Sequence, residues 1–121
     1  MESHIDVNNA ARRILHRLLE GQFGGAAQLR AQAARASLSS VASSGGPVFE
    51  FHHTGSVALA DVSHPVPVEA QGEDLDGTTI HFLLHAPSGL LRQLEVFRED
   101  GGPIQRWPAD DALIVLVNSS A

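Results

Sequence analysis

The spacing of hydrophobic residues changes from helical to strand-like near residue 37, and this order limits the possible folds more than any other feature. In residues 7–20, apolar side chains recur every three or four positions with arginines opposite, which predicts an amphipathic helix. Residues 25–36 are rich in Ala, Gln, Leu and Arg, which favour a second helix. Because only a short Gly-containing segment separates the two, we predict a helical hairpin.

The rest of the chain is predicted to be strands and turns. Segments rich in alternating or β-branched apolar residues predict strands, and they are 48–53, 65–71, 78–85, 90–98 and 112–117. Residues 37–46 predict a weak edge strand or a loop, and 54–64 a connection. Helices followed by strands are typical of an α+β fold. We therefore predict one α+β domain over residues 1–121, with the helical hairpin packed on one face of a mainly antiparallel sheet of about five strands.

Strand registers follow from the requirement that apolar faces coincide. A three-residue loop at 87–89 predicts Phe82 opposite Leu94, and the preceding hairpin predicts Phe82 opposite Val68. Both registers agree on one buried face, which comprises Val66, Val68, Ile80, Phe82, Leu84, Leu94 and Val96.

The opposite face is the candidate functional surface. The same registers predict a row of Glu69, His81 and Glu95 across three strands, with His85 and Gln93 nearby. An imidazole between carboxylates fits a small proton-transfer site, or simply an attractive charge row that stabilises the sheet.

Apolar residues on this face predict an interface. Leu83, Leu91 and Phe97 share it, and Trp107 is a candidate either to cover it or to anchor a core. We therefore predict a homodimer through this face.

Composition excludes several classes of function. The chain has 121 residues, a net charge of −6 and no cysteine, so disulfides and thiolate metal sites are excluded. Residues 37–121 hold three arginines against eleven acids, which argues against nucleic-acid binding and allows a basic protein partner. No apolar run is long enough for a membrane span, and the polar N-terminus does not resemble a signal peptide, so a cytoplasmic location is expected.

The histidines do not form a metal motif. His81 and His85 have the spacing of a helical zinc pair, but on a strand they would lie about 13 Å apart. We predict no metal and no cofactor.

Two stretches carry a resemblance to a known group. RRILHRLLEGQFGGAAQLRAQ, followed by VPVEAQGEDLDGTTIHFLLHAPSGLLRQLEVFREDGGPI, resembles a family of small uncharacterised bacterial proteins, a domain of unknown function. Family members often have Cys and Gly residues before the first strand, where this chain has Ser and Gly at 39–46. The resemblance implies a fold family and no activity.

Three hypotheses for function remain. The first is a non-enzymatic binding module that self-associates through the outer sheet face. The second is an acidic, immunity-like inhibitor of a basic partner protein. The third is a small-ligand enzyme that uses His81 with Glu69 or Glu95.

Overall fold

The computed structural model describes residues 4–41 and 46–118, with side chains from residue 8 onwards, and it has the α+β fold expected from the sequence. Helix α1 spans His4–Leu19 and helix α2 spans Ala26–Arg35. The strands are β1 (Ser37–Val41), β2 (Val48–His52), β3 (Val68–Glu73), β4 (Thr79–His85), β5 (Gln93–Arg98) and β6 (Ile114–Val117). Residues 42–45, part of the predicted edge strand or loop, lie outside the described residues.

The six strands form one antiparallel sheet in the order β1-β2-β5-β4-β3-β6, one strand more than the five or so predicted. β1 is the extra strand, and it forms one edge. β6 forms the other edge because the connection from β5 crosses the sheet before the chain pairs with β3. Residues 53–67 form a connection without helix or strand, as predicted for 54–64.

One face of the sheet, the inner face, packs against the helices. Along β4, Ile80, Phe82 and Leu84 are fully buried, whereas the residues between them are partly exposed. This alternation is expected for a sheet with one covered face. Apolar residues of both helices complete the core, and they are Ala11, Ile14, Leu15, Leu18, Leu19, Leu29 and Ala33.

Gln32 is the buried polar residue of α2, and its side chain forms hydrogen bonds to the 53–67 connection and to the β4–β5 connection. Its Nε2 donates to the carbonyls of Ala58 and Gly89, both at 2.9 Å, and its Oε1 accepts from the Leu91 N–H at 2.7 Å. The Leu91 N–H has no other described partner, whereas the Gly89 carbonyl also accepts from the Ala60 N–H at 2.9 Å. Through these bonds Gln32 fixes how the 53–67 and β4–β5 connections meet the helix.

The connection from β5 to β6 also crosses the inner face. Trp107 packs against Phe49 and Phe82, with ring centroids 5.8 Å away in both cases. Leu113 is buried, and a side chain at Gly72 would meet both Pro108 and Leu113. Of the two predicted roles of Trp107, core anchor is therefore correct, and cover of the outer face is wrong.

Both predicted hairpin registers are wrong by two residues. Phe82 lies opposite Val96 and Ala70, and Leu84 lies opposite Leu94 and Val68. A shift of two residues keeps every side chain on the same face, so the buried face is still correct apart from Val66, which is only partly buried.

The reason for the β4–β5 error is the length of the connection. His85 pairs with Gln93, so seven residues, 86–92, join the strands instead of three. Pro87–Gly89 forms a single 3₁₀ turn, and Leu91 is fully buried in the core. The placement of Leu91 on the outer face is therefore also wrong.

Candidate binding surface

The outer face of the sheet, opposite the helices, is the candidate binding surface. In the four central strands every described inward-facing residue is buried, and every outward-facing one is partly or fully exposed. Pairing arranges the outward residues in rows that run across the strands. Within the described residues, the helices and the Trp107 connection pack on the inner face and leave the outer face open.

Leu83 occupies the centre of this face, between two carboxylates. In the strand pairing it lies directly opposite Glu95 of β5 and Glu69 of β3. The sequence predicted His81 at this position. Glu69, His81 and Glu95 do share the outer face, but the two-residue shift places Leu83, and not His81, between the acids.

His81 lies one row away and has a different set of neighbours. Its direct cross-strand partners are Gln71 and Phe97, and its ring stacks on Phe97 at a centroid distance of 5.0 Å and an interplanar angle of 18°. Its Nε2 lies 3.2 Å from Oε1 of Glu99. The carboxylate that contacts His81 is therefore Glu99, and not Glu69 or Glu95 as the sequence predicted.

The predicted acids have other partners. Glu95 Oε1 lies 2.9 Å from Nε2 of His85. Glu69 Oε2 accepts a hydrogen bond from Asn118 Nδ2 at 2.7 Å. Gln93 pairs with both His85 and Glu50 across the strands. The predicted site residues thus form separate pairs and do not converge on one point.

With histidine counted as neutral, the formal charge on this face is of one sign. Pairing and alternation place outward five glutamates and three histidines, which are Glu50, Glu69, Glu73, Glu95, Glu99, His52, His81 and His85. None of the outward-facing residues in the described strands is Arg, and the chain has no Lys. Partly exposed Leu83 and Phe97 lie among these acids, so the face combines an apolar centre with an acidic surround.

The helical layer on the other side carries the opposite charge. Five of the eight arginines lie in α1 and α2, and they are Arg12, Arg13, Arg17, Arg30 and Arg35. Arg12 and Arg30 donate to carbonyls near the ends of the helices, and Arg17 pairs with Glu20. The two sides of the domain therefore differ strongly in charge.

A buried ion cluster at one end of the sheet was not predicted. Arg98 is 6% exposed on the inner face of β5, and its guanidinium binds Asp74 at 3.0 Å, Asp76 at 2.9 Å and Asp100 at 2.7 Å. Two features of the sequence indicate this cluster. Arg98 continues the inward alternation of Leu94 and Val96, and acidic residues occupy the turns on both sides.

Asp74 extends this cluster to the Trp107 connection. Its carboxylate accepts hydrogen bonds from the backbone N–H groups of Leu75, Gln105 and Arg106, all at 2.8 Å. Two of these donors immediately precede Trp107, so Asp74 helps to position the tryptophan over the core. We interpret the cluster as structural because its charged groups pair with one another and with backbone N–H groups.

The cluster shifts the pKa values of its members. Burial raises the pKa of Asp74, but hydrogen bonds from Gln105, Leu75, Arg106 and Arg98 outweigh it and lower the pKa to about 2. The Arg98 guanidinium and the Gly102 N–H lower the pKa of Asp100 to about 2. Hydrogen bonds from the Thr78 N–H and from Arg98 lower the pKa of Asp76. Asp100 and Asp76 in turn raise the pKa of Arg98.

The cavities lie away from the predicted site. One of about 260 Å³ lies between α2 and residues 53–58, and its lining includes Arg35 and His53. A second, near the β3–β4 turn, measures about 630 Å³, and a third between the helices about 280 Å³. None of the three is lined by Glu69, His81 or Glu95.

Across residues 4–41 and 46–118, no group of three or more His, Asp or Glu side chains is arranged to hold a metal ion. Within the same residues, neither helix has the length and apolar character needed to cross a bilayer.

Comparison with known proteins gives no match. No family model, no curated protein and no solved structure matches the chain.

Proposed function

We propose that this protein is a non-enzymatic binding module whose outer sheet face binds a cationic surface on a partner protein. One observation carries the proposal: the face is open, and it surrounds partly exposed Leu83 and Phe97 with five glutamates and no described arginine. An apolar centre within a polar, charged surround is the usual composition of a protein interface. Negative charge of one sign attracts a positive partner and repels acidic ones.

The pairing around Leu83 supports a protein ligand over a small molecule. Leu83 has Glu69 on one side and Glu95 on the other. When an apolar side chain of a partner packs on Leu83, the residues next to that side chain come close to both carboxylates. A partner with a hydrophobic residue flanked by Arg or Lys satisfies both requirements. None of the three cavities is lined by Leu83 or Phe97, and compact ligands normally bind in concave pockets.

Self-association with outer face against outer face is the weaker candidate. It would bring Glu69 and Glu95 of one copy close to the same acidic face of the other. Like charges at an interface weaken binding unless opposite charges separate them. Of the eight arginines, five lie in the helices and Arg98 is held in the ion cluster, which leaves Arg92 and Arg106, both outside the strands.

Catalysis by His81 with Glu69 or Glu95 has less support than binding. The His81 ring is stacked on Phe97 and contacts Glu99, while Glu69 and Glu95 contact Asn118 and His85. These pairings leave no acid, base and cavity in one place, which general acid–base catalysis requires.

Site-specific photo-crosslinking in cells that naturally make the protein tests the proposal. A benzophenone amino acid replaces Phe97 on the outer face, and in a matched control it replaces Gln28, which is exposed on α2. We expect the Phe97 position to capture a protein with a basic surface that the Gln28 position does not. Glu69→Gln with Glu95→Gln should reduce that capture several-fold. Equal capture from both positions, or capture that the double variant leaves unchanged, would contradict the proposal.

A further inference from the structure

The free edge of β6 is the most apolar exposed segment in the described chain. Of the six large hydrophobic residues that are more than two-fifths exposed, three lie in this four-residue strand: Ile114 at 64%, Leu116 at 43% and Val117 at 49%. The strand has no charged residue and no proline. Proteins normally protect an edge strand with such residues or cover it.

The backbone of this edge is also unpaired. Asn118 donates its N–H to Pro67 on the β3 side. Because N–H groups alternate along a strand, those of Leu116 and Ile114 also point to β3, while those of Val115 and Val117 point away from the sheet. No described backbone group beyond the β3–β6 ladder bonds to Val115 or Val117.

Val117 shows that the inner layer is incomplete at this edge. It lies opposite Val68, which is fully buried, so it belongs to the inner face, yet about half of it is exposed. The other edge of the sheet is different. Three of the five residues of β1 are serine, and Ser39 Oγ lies 2.7 Å from Nε2 of His52.

We infer that two copies of this chain pair antiparallel through β6, which joins their sheets into one. An antiparallel pair of identical strands has a two-fold axis, and we place that axis at Leu116. Val115 then faces Val117 of the partner subunit, and Val117 faces Val115 of the partner subunit. Every outward-pointing backbone group of the two valines gains a partner, for four hydrogen bonds in all.

Side chains match in the same register. The two copies of Leu116 meet on the outer face, and the valines meet on the inner face, where each completes the other's exposed layer. A second copy fits this edge better than a foreign basic segment because the strand carries no charge to attract one. The symmetric pairing also closes after two copies, so it does not form fibres.

The inferred dimer is weak and is strengthened by salt. One pair of four-residue strands buries less than the roughly 800 Å² per partner of a standard interface, so dimerisation should depend on concentration. Each copy carries a net charge of −6, and salt screens their mutual repulsion. Binding of a cationic partner to the outer face should instead weaken with salt. The opposite responses to salt separate the β6 dimer from the partner complex, and either one can be absent without the other.

Sedimentation equilibrium of the whole chain, with a charge exchange at position 116, tests the inference. Leu116→Lys alone and Leu116→Glu alone place like charges on the axis and should each weaken dimerisation roughly tenfold or more. An equimolar mixture of the two should form a one-to-one heterodimer, because in this register Leu116 meets only Leu116 of the partner subunit. Leu59→Lys, at a residue 59% exposed in a connection, is the matched control and should dimerise as the wild type does.

Three results would overturn the inference. They are a wild type that stays monomeric at millimolar concentration, an equal loss of association in Leu59→Lys, and no heterodimer from the Lys and Glu variants. Circular dichroism establishes that each variant is folded before its association is compared with that of the wild type. If the dimer is absent while crosslinking through Phe97 persists, only the inferred dimer fails.

Discussion

The N–H of Leu91 donates to Oε1 of Gln32 at 2.7 Å across 59 residues of sequence, and this bond links the β4–β5 connection to helix α2. The same amide side chain holds two carbonyls through its nitrogen. A single buried residue therefore satisfies three backbone groups. Its removal should leave the buried Leu91 N–H without a described partner, whereas the Gly89 carbonyl keeps the hydrogen bond from the Ala60 N–H.

Gln32→Leu should lower the free energy of unfolding by at least about 1–3 kcal/mol, the cost of one buried polar group without a partner. Gln28→Leu is the matched control, since Gln28 is exposed one turn earlier on the same helix, and it should cost less than about 0.5 kcal/mol. Urea denaturation of both variants gives the comparison. Equal stabilities would mean that the bonds of Gln32 contribute little.

Gly89→Ala should be much more destabilising than Gly77→Ala. Both glycines have positive φ, +82° and +85°, so each alanine carries a strain of roughly 1–2 kcal/mol. A Cβ at Gly89 would also overlap the backbone of Ala60, whereas one at Gly77 meets no atom within 4 Å. Thermal melts of the two variants separate the effects. If they lose the same stability, the close packing of Gly89 on Ala60 is not important.

Trp107→Ala should cost roughly 3 kcal/mol because Trp107 packs between Phe49 and Phe82 in the core. Phe97→Ala removes an aromatic ring from the open face and should cost about 1 kcal/mol, the scale of its stacking on His81. Chemical denaturation followed by far-ultraviolet circular dichroism measures both. A larger loss for Phe97→Ala would contradict the assignment of the two faces.

The face of each strand could be predicted from the sequence, but the register could not. Alternation assigns Ile80, Phe82 and Leu84 inward whatever their partners are, because the side-chain period is two. A two-residue shift in register preserves that assignment of faces. It nevertheless places Leu83, and not His81, between Glu69 and Glu95. The length of the β4–β5 connection fixes the register, and it depends on Leu91 entering the core, which no local pattern indicates.

The candidate site was only partly predictable for the same reason. The open face and its acids, Glu69 and Glu95, follow from alternation. The contacts of His81 with Glu99 and of Glu69 with Asn118 depend on register and on the position of β6. The position of Trp107 depends on a connection that crosses the whole sheet, which sequence periodicity does not describe.

Asp74→Asn should change the dependence of stability on pH. The pKa values of Asp74, Asp76 and Asp100 lie below the usual 3.8 in the folded protein. Groups with lowered pKa values stabilise the fold above pH 3.8, and that stabilisation is lost as the pH falls towards about 2. The wild type should therefore lose stability steeply between about pH 4 and pH 2.

Asp74→Asn should be less stable than the wild type at pH 7, and the difference should shrink as the pH falls towards 2. Asp111→Asn, at an exposed residue with no described hydrogen bond, is the control and should parallel the wild type throughout. Urea midpoints at a series of pH values give both curves. A constant difference between Asp74→Asn and the wild type would show that the charge of Asp74 does not stabilise the fold.

The outer face should bind cationic amphipathic segments, and its glutamates should set the affinity. The probe is a synthetic peptide that alternates Leu with Arg, and binding is followed by amide chemical shifts of the isotope-labelled protein. Glu69→Gln with Glu95→Gln should weaken binding several-fold, since it removes both carboxylates beside Leu83. Asp110→Asn with Asp111→Asn removes the same formal charge outside the sheet and serves as the matched control.

The most direct test of the central claim is the map of those shifts on the wild type at low and high salt. We predict changes concentrated at Leu83, Glu95 and Phe97 and their outward-facing neighbours, with an affinity that falls as salt rises. Changes concentrated on α1 and α2, or a peptide affinity that the Glu69 and Glu95 substitutions and salt leave unaltered, would contradict the claim that the outer face is the binding surface.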